Sequence, residues 1–569
     1  MKGSVTHCQT LHSGGEHGTI AVLIISVFAF MSRSGLVRLI AIFTVFYTVF
    51  YTPMATAAAV DFERQSITIA LTQEPPNLDS LRTTDLVSFF VIGHVNEGLV
   101  RYNQRGKLVP GVATSWEQTE QRITFHLRRD AKWSDGSAVT AHDFVYAWQT
   151  LNDPKTAAPY AAIMYPILNA QRIQKGELPV AELGVTALDD FTLRVDLEGP
   201  CGYCVTVMVH AAFYPVNQKF HLSMGDLYGA EANKLLYNGP FRLVNWVHGA
   251  EMTLVKNPTY WNADSIHLNE LKVGYITEDN RTRLNLFRDG RIALARMGAD
   301  TVNDAAAQGM RLRTFVSGGM AYLRFNNTPA SLMSEEKLRR AVQLIFDPNE
   351  FVNKVIGIPG YKPAHSFFPS WLNGVDGKFT DEFPMAPVDR DFEKARQLAE
   401  EVRLEMGVDK LPAITLLSTT SPTGAKIAEY FQGLITRHLD IDVKVDQQTF
   451  KQYIEKVNRQ DFDISLASWY PDFDDVVTYA DLLASYNENN DGRYNSAEYD
   501  EWLMKLMNTS DPAERMAAAD KLQKLIRIDV PVLPMAETGS AYLQHPKLRG
   551  VVRRVLGADP DYTFARVIE

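Results

Sequence analysis

Cysteine is scarce, at three residues in a chain of 569. That excludes a disulfide-rich scaffold and a four-cysteine zinc site. Surplus positive charge is missing as well. The formal net charge is −10, and no run of Lys and Arg reverses it locally, so no nucleic-acid partner is expected. Long apolar runs are lacking: residues 20–31 and 39–51 are apolar, but each falls short of the ~20 residues that span a bilayer. No period of 20–50 residues repeats, which argues against a solenoid or propeller. Nor does any low-complexity linker divide the chain beyond residue 59.

Catalytic signatures are absent too. "GVDGKFT" (374–380) has the Gly377-Lys378 of a phosphate loop. Leu372 stands where the first Gly is required and Phe379 where a Ser or Thr must follow, so the loop cannot cradle phosphate in that way. There is no G-x-S-x-G elbow and no H-E-x-x-H pair. The His residues are scattered, with His94, His142 and His210 as typical singles, which leaves no metal cluster and no cofactor to expect.

What is present begins with a leader. From Met31, Arg33 and Arg38 form a positive n-region, 39–51 an apolar h-region, and Ala55–Ala59 offers small residues for cleavage. This is the plan of a secretory signal, so export is expected, with the mature chain starting near Ala58 or Val60. Met31 is then the expected initiator and 1–30 an over-extended start; the alternative is a two-helix membrane anchor. No Cys lies at the cleavage site, so a lipid anchor is not expected. The leader carries three basic residues and one acid, so the exported part is more acidic than the whole.

Cys8 leaves with that leader. Cys201 and Cys204 form "PCGYC", open to three readings: a local disulfide favoured by an oxidising compartment, two free thiols, or redox or metal chemistry.

Past the leader, strand and helix patterns alternate. "SITIALTQ" (66–73), "ITFHLR" (123–128), "AITLLST" (413–419), "IDVKVDQQ" (441–448) and "FDISLASW" (462–469) read as strands. Helices are expected over 140–151, where Thr140 and Asp143 make a capping-box-like start, and over 335–346, 391–402 and 424–439. The alternation implies α/β layers with mixed sheets.

The densest chemistry lies in "SLASWYPDFDDVVTYADLL" (465–483), where Asp472, Asp474 and Asp475 follow Trp469 and Tyr470. Such acids could hold a hard cation, act as an acid–base pair, cap a solvated loop, or clasp a cationic ligand. The calcium-loop pattern is incomplete. Leu466, Trp469, Tyr470 and Phe473 give the cluster apolar company, and a carboxylate buried in it demands a cation or several donors.

"LVPGVATSWEQTEQRITFHLRRDAKWSDGSAVTAHDFVYAWQTL" resembles the signature region of the extracellular solute-binding proteins of the peptide/nickel family. The likeness continues through "LGVTALDDFTLRVDL", "NGPFRLVNW", "LVKNPTYWN" and "SWYPDFDD", covering nearly all of 64–569. The chain looks similar to the oligopeptide- and murein-peptide-binding members. The resemblance implies an α/β clam-shell of two lobes with an inserted domain and a hinge. Lobe one would hold 60–96, 219–321 and 535–569, with the extra domain over 97–218 and lobe two over 322–534. It implies a monomer without catalytic residues, which binds extended peptide by strand addition and hands it to the permease of an ABC importer. A periplasmic sensor or chaperone-like binder, or a carrier of nickel chelate or haem, are the alternatives within this fold.

Carried over by position, Asp472 matches the carboxylate that grips the peptide α-ammonium. Ser468, Trp469 and Tyr470 match one pairing edge, and Thr84, Asp85 and Leu86 the edge from the other lobe. Tyr160 and Phe450 fall where pocket aromatics sit. The basic residues expected to meet the ligand carboxylate are replaced by Leu466, Gly424 and Pro329, and the family's "DYxEP" turn reads "DFDDV". The amine end is thus kept and the carboxylate end lost, which points to longer peptides or other amine-bearing ligands.

Overall fold

The computed structural model describes residues 58–487 and 489–569. The expectations about Met31, the signal segment and Cys8 lie outside them. None of the helices among the described residues is long and apolar enough to cross a membrane.

Three larger sheets, beside two of two strands each, organise residues 58–569. A five-stranded sheet runs in the order Val60–Asp61, Ser66–Leu71, Glu270–Ile276, Glu251–Lys256, Phe241–Val247. Its one parallel pair joins Ser66–Leu71 to Glu270–Ile276, strands about 200 residues apart in sequence. Between them the chain builds a separate four-stranded antiparallel sheet from Ala113–Thr119, Arg122–Leu127, Thr192–Asp196 and Val185–Asp189. The helix Ala141–Asn152 packs on this sheet and buries Phe144, Ala147, Trp148 and Leu151, the 3.6-residue spacing legible in the sequence. Thr140 starts it with a capping box, the Thr140 N–H donating to Asp143 Oδ2 at 2.8 Å.

The third sheet has the order Leu294–Met297, Val532–Gln544, Arg313–Phe325, Ile464–Trp469, Ile414–Thr419, Val443–Gln448, with Lys362–Pro363 also on Val532–Gln544. Its last three strands form a parallel set covered by the helix Pro422–Leu439, which buries Ile427, Ala428, Phe431 and Ile435. Two 13-residue strands, Arg313–Phe325 and Val532–Gln544, pair antiparallel along the middle of this sheet. The lobe boundaries expected at 321/322 and 534/535 fall inside these two strands. Their register slips between Val316 and Met320, where Gly318 takes a φ of +83°. A Cβ there would overlap Val555, and one at Gly539 would overlap the Gly360 backbone. Glycine is the residue that permits both the left-handed turn and the close crossing.

Candidate functional site

The Ile464–Trp469 strand is the base of the site. On one side it pairs over its whole length with Arg313–Phe325, from Ile464↔Phe325 to Trp469↔Met320. On the other side Ile414–Thr419 stays with it only through Ile464 and Ser465, then diverges. The Tyr453 hydroxyl fills the start of the gap, donating to the Leu466 carbonyl at 2.7 Å. That carbonyl therefore points away from Arg313–Phe325. Because backbone polar groups alternate sides along a strand, the N–H and C=O of Ser468 point the same way, onto the unpaired edge. Ser468 is exposed, and the buried Trp469 indole nitrogen has no protein acceptor. Tyr470 is 43% exposed, with its ring beside Gly319.

The three acids that follow have three different settings. Asp472 is largely buried, and burial pushes its carboxyl up to about 6. Its N–H donates to Thr478 Oγ1 at 3.1 Å, which holds the turn. Its carboxylate has one side-chain donor, the Tyr160 hydroxyl at a long 3.5 Å, and takes part in no ion pair among the described residues. Asp474 is also pushed up to about 6 by burial, against the pull of Lys378. Its Oδ2 accepts from Asn373 Nδ2 at 3.2 Å, and its buried Oδ1 has no donor. Asp475 is a buried structural ion, gripped by Arg515 through two bonds of 2.8 and 2.9 Å. No group of His, Cys, Asp and Glu among the described residues could hold a metal.

Tyr160 belongs to an aromatic corner. Its ring lies 4.6 Å from His210 and 6.0 Å from Phe89, and His210 is held neutral by burial, its imidazole pushed down to about 4. Asp472 therefore faces aromatic and neutral groups rather than a protein cation. Phe89 and His210 lie 121 residues apart and carry no mutual pattern; His210 reads in the sequence as an ordinary single.

Phe450 is 70% exposed at the first position of the helix Phe450–Asn458, whose Thr449–Gln452 capping box fixes its start. It stacks on Tyr453, whose hydroxyl reaches the Leu466 carbonyl at the start of the gap. Thr84 and Asp85 lead into a helix that starts at Leu86. Asp85 is the N-cap of the helix Leu86–Val95, accepting from the N–H groups of Val87 and Ser88 at 3.1 and 2.8 Å. The Asp85 backbone is itself extended, with φ −104° and ψ 147°, and its carboxylate satisfies helix donors that would otherwise be free. Leu86 remains 72% exposed.

At the three positions expected to have lost basic residues, Leu466 packs on the core of the parallel set. Gly424 lies in the first turn of the helix Pro422–Leu439 with its N–H on Ser421 Oγ, and Pro329 is exposed. Arg324, opposite Ser465, is committed to Asp491 at 2.8 Å.

Cys201 and Cys204 are joined in a disulfide, the first of the three readings of that motif.

The profile of bacterial extracellular solute-binding proteins, family 5, matches residues 107–491. The Escherichia coli periplasmic murein peptide-binding protein MppA is 32% identical over 86% of this chain and 90% of its own length. The Haemophilus influenzae periplasmic oligopeptide-binding protein OppA is 31% identical over 89% of this chain and 93% of its own. Among solved structures, the substrate-binding domain of a Bacillus anthracis oligopeptide ABC transporter superposes with a TM-score of 0.75 at 33% identity, covering 89% of this chain and 99% of that one. Haemophilus influenzae OppA in complex with the peptide RPPGFSPFR gives 0.74 at 28% identity, covering 90% and 100%. The fold is that of the two-lobed periplasmic binding proteins. The chain belongs to the bacterial extracellular solute-binding proteins, family 5.

Proposed function

We propose that this protein captures peptides in extended form between its two lobes, outside the cytoplasmic membrane, and delivers them to the permease of an ABC importer without chemically altering them. Lobe one is read as 60–96, 219–321 and 535–569, with 97–218 as the inserted domain and 322–534 as lobe two. The observation that carries the proposal is Asp472: a largely buried carboxylate with no protein cation, standing just past a strand whose Ser468 edge is unpaired. A peptide satisfies both needs at once. Its main chain pairs with the free edge through Ser468, and its α-ammonium provides the missing countercharge for Asp472. Trp469, Tyr470, Tyr160 and Phe450 line the course of the ligand, and Thr84 to Leu86 border it from the opposite lobe.

No basic side chain at positions 466, 424 or 329 awaits a terminal carboxylate, so affinity is expected to depend on the free amine and little on length. Calorimetry with di-, tri- and pentapeptides and their N-acetyl forms tests this. Acetylation is expected to weaken binding about a hundredfold, the worth of a desolvated charge-assisted bond. Equal affinity for acetylated peptides, or strict preference for one length with a free carboxylate, would overturn it.

A further inference from the structure

The disulfide loop "PCGYC" lies far in sequence from the site but ends against it. Tyr203, between the two cysteines, is only 6% exposed. Its ring stacks on Phe473, with centroids 5.4 Å apart and planes inclined by 15°. Phe473 is the residue directly after Asp472. The guanidinium of Arg515 sits over the same Tyr203 ring, 5.6 Å from its centroid, while forking onto Asp475. Gly202 is packed so closely on Arg515 that a Cβ would lie 2.9 Å from its Cδ. The loop itself is tied down at Cys201, whose carbonyl accepts from Gln118 Nε2 at 2.6 Å, and Cys204 opens a short helix. The turn 472–475 is thus clamped from the side of the inserted segment by a single aromatic ring held in the four-residue disulfide loop Cys201–Cys204.

We propose that Tyr203, presented by the Cys201–Cys204 disulfide, is a positioning residue that latches the inserted segment 97–218 onto lobe two and holds the Asp472 turn in its ligand-gripping place. Tyr203 touches Phe473 and Arg515, and acts on the ligand only through them. The disulfide's part is to remove the freedom of a Gly-containing loop that would otherwise lose entropy each time the ring docked. This goes beyond the peptide-binding reading, because the latch governs closure whatever the ligand.

Two measurements test it on the purified protein: small-angle scattering, which reads closure, and the dissociation rate of a bound tripeptide. Tyr203→Ala and the double variant C201S/C204S are expected to raise the radius of gyration. They are also expected to speed dissociation about tenfold to a hundredfold, the combined worth of an aromatic stack and an arginine over its ring. Tyr203→Phe keeps the ring and is expected to match the parent in both. Melting without peptide monitors folding, and Tyr203→Leu, which fills most of the volume without a stacking face, replaces the Ala variant if that one does not fold. Parental scattering and dissociation in Tyr203→Ala or Tyr203→Leu would overturn the latch, as would failure of Tyr203→Phe to restore them. If the parent binds no tripeptide, the peptide reading fails and scattering alone still judges the latch.

Discussion

Asp472, Asp474 and Asp475 are chemically alike and adjacent, yet each has a different partner, and the partner decides what the residue can do. Asp475 is satisfied by Arg515 and contributes to structure. Removing one member of such a pair leaves a buried charge, so Asp475→Ala is expected to destabilise the fold by about 3–5 kcal/mol, read by urea denaturation. Asp472 is the reverse case. It has been moved out of water without a cation, so it weakens the empty protein in order to grip a ligand. Asp472→Asn is therefore expected to weaken peptide binding about a hundredfold while raising the stability of the empty protein at pH 7.5 by about 1–2 kcal/mol. Calorimetry and denaturation on the same sample check both halves; lower stability with unchanged affinity would sink the assignment. The sequence places the three acids in apolar company, but it does not say which one Arg515 takes, because that arginine is 40 residues away on the helix Pro512–Asp529.

At the scale of elements, periodicity located what was amphipathic and local. The helices expected over 140–151, 391–402 and 424–439 occur as Ala141–Asn152, Phe392–Met406 and Pro422–Leu439. The strand expected over 462–469 occurs as Ile464–Trp469. Local pattern missed the helix Leu86–Val95, whose apolar run "LVSFFVIGHV" has no polar face and whose start is declared only by the Asp85 cap. Nor could it show that Ile414–Thr419 leaves Ile464–Trp469 after two residues, since pairing is set by neighbours distant in sequence. That divergence makes a sharp prediction. The Ser468 N–H points to the unpaired edge, whereas the Ala467 N–H faces Arg313–Phe325. Ser468→Pro should then abolish peptide binding with a loss of stability under about 1 kcal/mol. Ala467→Pro should cost about 3 kcal/mol or more by removing a ladder bond inside the sheet. Thermal melts and peptide titrations of the two variants separate the roles; equal destabilisation would mean that both edges of the strand are engaged.

For the whole molecule, the two-lobed arrangement was legible through resemblance, not through spacing: the site joins Tyr160 to Asp472, 312 residues apart, and Tyr203 to Phe473. What such a closed interior does to its acids has a measurable global consequence. Burial pushes Asp472, Asp474 and Asp481 each up to about 6, from 3.8 when exposed. A carboxyl whose folded-state pKa lies above its unfolded value favours the fold fully below the unfolded value. It loses that contribution as pH rises through the folded one. Between pH 4 and pH 7 the three acids together thus cost the empty protein several kcal/mol, at about 1–2 kcal/mol each. Ligand binding runs with the opposite slope, because an ammonium needs Asp472 ionised: peptide affinity should fall about tenfold per pH unit below 6 and level off above it. The empty protein is therefore expected to gain stability from these groups on acidification from pH 7 to 5, over the same interval in which it loses its ligand. Melting temperatures of the empty protein and peptide affinities, measured across pH 4.5–8 for the parent and for Asp472→Asn, test the coupling. The Asn variant should lose the affinity slope and flatten the stability slope by one group's share; a parental slope in both would show that Asp472 titrates near 4 and is solvated.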